Sequence, residues 1–101
     1  MPKFVLAYHG ANNEMTAEEG QAHMAAWMAW QDGLGDALGS SMPVGKSKTI
    51  GKDGVADDGG SNPLSGVTIL EAADMDAALT LAKDCPHVNI GTIEIAQAME
   101  M

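Results

Sequence analysis

Arginine is absent from this chain, and cysteine occurs once in 101 residues. Five lysines face fourteen acidic residues, giving a formal net charge of −9. So few cations provide no footprint for nucleic-acid phosphates or for an anionic membrane surface, and neither partner is expected. Solubility is the plain consequence of the acidity. Cys85 alone makes no disulfide framework, which points to a reducing compartment and a cytoplasmic location. The apolar run at the N-terminus, FVLAY, is too short for a signal-peptide core or a bilayer span. Aromatics are scarce as well: two tryptophans, one tyrosine and one phenylalanine, which leaves the core to Leu, Ile, Val, Met and Ala.

Hydrophobic residues nonetheless make up 46% of the chain, enough for one folded domain over residues 1–101. A domain this small buries only about two-thirds of its unfolded surface, which makes self-association a natural supplement. The dominant stretch runs from Thr16 to Gly39, TAEEGQAHMAAWMAWQDGLGDALG. Thr16 with Glu19 forms a capping box, and Glu18 and Glu19 suit the positive end of the helix dipole. Gly20, His23, Trp27, Trp30, Leu34 and Leu38 recur at steps of three and four and line one face. Met24 and Met28 are expected to widen that stripe, and Gly39 to cap the helix, whose end a turn earlier is the alternative.

Before the helix, KFVLAYH (Lys3–His9) is a strand apolar on both parities, as a central, doubly covered strand would be. The segment GANNEM links it to Thr16. After the helix, KSKTI (Lys46–Ile50) reads as the second strand. A long glycine-rich hairpin loop follows, then VTILEA (Val67–Ala72) as the third strand. Asp74 caps a second helix with Met75, Ala78, Leu79 and Ala82 on its stripe, stopping before Pro86. Val88–Ala96 is the last strand, and its change of phase predicts a bulge near Gly91. The order βαββαβ is ferredoxin-like: an antiparallel α+β sheet with both helices on one face. The opposite sheet face is too apolar to meet water, so a homodimer is expected.

His23 is the central candidate. It is either a satisfied core imidazole or a proton-transfer group at the rim of a helix–sheet cleft walled by Trp27. Gly20, one turn earlier, leaves room for a ligand or a close backbone. Asp32 and Asp36 are badly phased to orient His23 within its helix, leaving Glu94 or a second subunit as carboxylate sources. His9 and His87 sit at matching exits from the first strand and the second helix. Histidine spacings of 14 and 64 residues match no compact metal motif. No flavin or haem motif is visible either, and no cofactor or metal is expected. Cys85-Pro86-His87 reads as a buried cap cysteine, not a nucleophile pair. Asp57 to Gly60 resembles a calcium loop in composition only. Lys46, Lys48 and Lys52 either attract a small anionic substrate or guard a strand edge.

Together, AHMAAWMAW and SNPLSGVTILEAADMDAALTLAKDCPHVNIGTIEIA resemble the YCII-related (DGPF) family, over nearly the whole chain from Lys3 to Ala96. The resemblance implies a ferredoxin-like subunit that dimerises into an α+β barrel, with a cleft between first helix and sheet. It also implies a helix histidine, here His23, as the suspected catalytic group. In some members an aspartate ending the first strand partners that histidine; His9 occupies the position here, so a His9–His23 pair is implied in its place. The namesake segment reads Asp58-Gly59-Gly60-Ser61. The expected function is small-molecule binding, as an enzyme of lyase, isomerase or hydrolase type. His23 and His9 would be catalytic, with Trp27, Gly20, His87 and Lys48 touching substrate. The alternative is a non-catalytic ligand-sensing or regulatory module, for instance one associated with an alternative sigma factor.

Overall fold

In the computed structural model, which describes residues 1–10, 16–60 and 63–99, strand parity organises the whole subunit. Phe4, Leu6 and Tyr8 of β1 (Lys3–His9) are buried, while Val5, Ala7 and His9 are half-buried on the other face. β5 (Leu64–Glu71) repeats the pattern, with Gly66, Thr68 and Leu70 buried and Val67 and Ile69 half-buried. Together with β2 (Leu38–Pro43) and β6 (Thr92–Gln97) they make one antiparallel sheet in the order β2-β5-β1-β6. Helices α1 (Ala17–Leu34) and α2 (Met75–Ala82) supply Trp30, Leu34, Ala78 and Ala82 to the same core as Phe4, Leu6 and Leu70. The architecture is the ferredoxin-like α+β fold.

Both helix starts follow their predicted chemistry. Thr16 Oγ1 accepts the Glu19 N–H at 3.1 Å, and Asp74 Oδ1 accepts the Ala77 N–H at 2.8 Å. The end of α1 comes earlier than Gly39. Gly35, at φ +55°, is the cap, and its N–H donates to the Asp32 carbonyl. Gly39 instead lies in β2, where the register with β5 shifts between Leu38 and Ser40. A Cβ there would meet the Ile69 carbonyl at 3.0 Å. Met24 and Met28 do not widen the core stripe but point to solvent.

Two further expectations are corrected. The second sheet strand is Leu38–Pro43, not Lys46–Ile50. The KSKTI segment instead enters an extra hairpin, β3 (Thr49–Gly51) with β4 (Gly54–Ala56), inserted between β2 and β5. The phase change after Val88 is no bulge: Pro86–Asn89 forms a 3-10 turn, and the β1–β6 ladder is then regular from Phe4↔Gln97 to His9↔Thr92. No helix among the described residues is long and apolar enough to cross a membrane. Most of the GANNEM link and Ser61 of the namesake segment lie outside the described residues.

Candidate functional site

One helical turn brings the central pair together. His23 and Trp27 stand four apart on α1, and the indole Nε1–H donates to His23 Nε2 at 2.7 Å. An indole nitrogen can only donate. His23 Nε2 is therefore unprotonated, and the neutral ring carries its proton on Nδ1. Both side chains are half-buried, so the imidazole sits at the edge of the helix–sheet layer and not inside it. This excludes the satisfied core histidine bonded only to backbone.

Beneath Trp27 lies an aromatic stack that fixes its ring. Tyr8 meets it edge-on with centroids 5.2 Å apart, and Trp30 does the same at 5.4 Å. Trp30 is anchored in turn by an indole bond of 3.0 Å to the Leu81 carbonyl. Tyr8 donates its hydroxyl to Thr68 Oγ1 at 2.6 Å, and Thr68 Oγ1 lies 2.7 Å from Ser41 Oγ. Burial pushes the Tyr8 phenol far above its ordinary pKa, against a smaller opposing pull from the Thr68 bond. The Cys85 thiol, buried against Tyr8, is raised by the same cause, with the His87 N–H and Tyr8 hydroxyl pulling it back down. A thiol held protonated is no nucleophile.

The other two histidines are placed differently. His87 is buried, tilts against Tyr8 with centroids 5.1 Å apart, and donates Nε2–H to the His9 carbonyl at 2.9 Å. Gly91 makes that approach possible, because a Cβ there would fall 2.2 Å from the His9 oxygen and 2.7 Å from His87 Nε2. The His9 side chain is on the sheet face away from the helices, with Nε2 at 3.3 Å from Glu94 Oε1. His23 thus meets Trp27, and Glu94 meets His9; His87 acts on the His9 backbone.

Gly20 has open space where a Cβ would go, with no atom within 4 Å. Lys48 is paired at 2.8 Å with Asp57 across the base of the β3–β4 hairpin. No group of three metal-capable side chains occurs among the described residues. A cleft of about 520 Å³ runs past Gly10, Lys46, Ser47 and Ser65, and a groove of about 600 Å³ opens beside Asp36, Ala77 and Leu81. Neither is lined by His23 or Trp27. Sequence reasoning passed over Tyr8, Thr68 and Ser41. The available signal for Tyr8 was a phenol within the doubly apolar run of β1, whose hydroxyl needs a partner once buried.

No curated protein matches the chain. Among solved structures it is similar to 5-chloro-2-hydroxyhydroquinone dehydrochlorinase (TftG) from Burkholderia phenoliruptrix, in complex with 2,5-dihydroxybenzoquinone. The identity is 14%, the TM-score 0.61, and the match covers 97% of this chain and 95% of that one. At that identity the likeness establishes the fold alone. The model of the YCII-related domain matches residues 1–101, and the chain belongs to that family.

Proposed function

We propose that this protein binds a small, flat, oxygen-bearing molecule beside Trp27 and acts on it through His23, as an enzyme of the lyase, isomerase or hydrolase type. The Trp27–His23 hydrogen bond carries the reading. It occupies the accepting nitrogen of a half-exposed imidazole and leaves Nδ1–H as the group offered outward. A neutral imidazole donor polarises a carbonyl or stabilises a developing oxyanion without first taking up a proton. General-base chemistry at Nε2 requires Trp27 to let go, so the donor role is the one the geometry favours. A quinone or hydroxylated ring suits such a donor and an indole edge. The likeness in fold to a dehydrochlorinase bound to a dihydroxybenzoquinone supports that substrate class.

The working unit in this proposal is a cytoplasmic homodimer. Val5, Ala7, Val67 and Ile69 form a half-buried apolar strip on the sheet face opposite the helices, with Met42 exposed beside it. A second copy laid on that strip removes it from water.

The test is a thermal-shift screen of hydroquinones, quinones, lactones and small carboxylates on the wild type and on His23→Ala. A ligand at a hundred times its Kd adds about 2.7 kcal/mol of stability. The wild type should respond to the oxygenated rings, and folded His23→Ala should not. An equal shift in both proteins overturns the proposal.

A further inference from the structure

The β3–β4 hairpin carries its apolar residues on the outside. Ile50 and Val55 are cross-strand partners, yet they are 81% and 64% exposed. A two-stranded hairpin has little stability of its own in water. All six residues of the two strands are exposed, so the subunit's own core does not cover them. Lys52, in the turn, has no ion pair among the described residues, unlike Lys48.

At the far end of the sheet is a surface of opposite character. The 600 Å³ groove is walled by Ala37, Ala77 and Leu81 and rimmed by Asp36 and Glu71. Neither carboxylate makes an ion pair among the described residues. The hairpin precedes the start of β5 at Leu64, and the groove lies at its end, at Glu71. Eight strand residues separate them by roughly 25 Å, so a subunit cannot fold its own hairpin into its own groove.

We infer that the β3–β4 hairpin is an arm exchanged between two copies of the chain, seating Ile50 and Val55 in the partner copy's groove. Lys52 then comes to the Asp36 and Glu71 rim. A two-fold axis perpendicular to the strands sets the hairpin end of each sheet against the groove end of the other. The contact is made twice and closes, whereas a one-way version would propagate into a filament. Charge complementarity selects a second copy over another occupant: the chain's net charge is −9, yet this arm presents an unpaired lysine to two unpaired carboxylates. The inference rests on the pairing of sheet faces proposed above.

The experiment is light scattering with sedimentation on the full chain, using folded variants checked by circular dichroism. The wild type should be a dimer; a monomer overturns the sheet-face pairing and the exchange with it. Ile50→Asp, at an exposed position, should weaken the dimer by about a hundredfold or more, because a carboxylate would be carried into an apolar groove. An unchanged dimer overturns the exchange alone. Lys52→Glu and Asp36→Lys should each weaken it about fivefold, and the double variant should recover. Finally, Val55→Cys chains mixed with Ala77→Cys chains should give a disulfide-linked heterodimer on oxidation, buried Cys85 taking no part. Failure of that cross-link in a mixture of dimers overturns the groove as the docking site.

Discussion

Trp27→Phe separates the hydrogen bond of Trp27 from its bulk. The phenyl ring retains edge-on contact with Tyr8 and Trp30, while the indole N–H that reaches His23 at 2.7 Å is deleted. One neutral hydrogen bond contributes about 1 kcal/mol net. The smaller ring adds a packing deficit of similar size in this half-buried setting. The total of about 2 kcal/mol corresponds to a fall in melting temperature of roughly 8–15 °C for a domain this size. The larger consequence is chemical. Above neutral pH, nitrogen NMR of the His23 ring should show Nε2 bare and Nδ1 protonated in the wild type, with that preference lost in Trp27→Phe. Ligand affinity or turnover should drop about tenfold, or 1.4 kcal/mol, as the donor loses its fixed tautomer. A wild-type ring with its proton on Nε2 would refute the argument. So would a Trp27→Phe protein with unchanged tautomer and ligand response.

Other substitutions probe the frame around that pair. Gly20→Ala meets no atom within 4 Å and should stabilise α1 by about 1 kcal/mol in a thermal melt; if it also abolishes the ligand response, the open space beside His23 belongs to the ligand. Gly91→Ala would press a methyl on the His9 carbonyl and His87 Nε2, and urea titration should show a loss of about 2–4 kcal/mol. Alkaline stability should fall in a defined order. The unfolded chain releases the Cys85 thiol proton near 9.0 and the Tyr8 proton near 10.0, while the folded chain holds both higher. The unfolded state then binds fewer protons, so stability complete below about pH 9 declines above it, by up to about 1.4 kcal/mol per pH unit for each group. Cys85→Ala should remove the first step, and flat stability through that range in the wild type would contradict the assignment.

Much of this fold is written in local patterns. The capping box at Thr16 and Glu19, the Asp74 cap and the doubly apolar run of β1 each follow from rules spanning a few residues. The second strand was not legible for a physical reason. LGSSMP has no apolar alternation, because β2 is an edge strand whose ladder with β5 supplies what its side chains do not. Of the alternating KSKTI segment only Thr49 and Ile50 are in a strand, and that strand belongs to the inserted hairpin. His23 and Trp27 could be placed on one helix face from spacing. The direction of the bond between them needed rotamers that only packing on Tyr8 selects. His87 looked like a possible ligand-binding residue, whereas its bond to the His9 carbonyl crosses 78 residues of sequence.

The hydroxyl series Tyr8–Thr68–Ser41 crosses three neighbouring strands, and it ties their evolution together. Thr68→Val keeps the shape of the central side chain but strands two hydroxyls, one of them buried, at an expected loss of about 1–3 kcal/mol. Tyr8→Phe, Thr68→Val and Ser41→Ala made together remove every orphan and should lose less than the central change alone. The three positions therefore behave as one inherited unit, strongly non-additive in a mutant cycle. Sequence drift can leave this arrangement only by passing through a weakened intermediate or by changing all three sites at once.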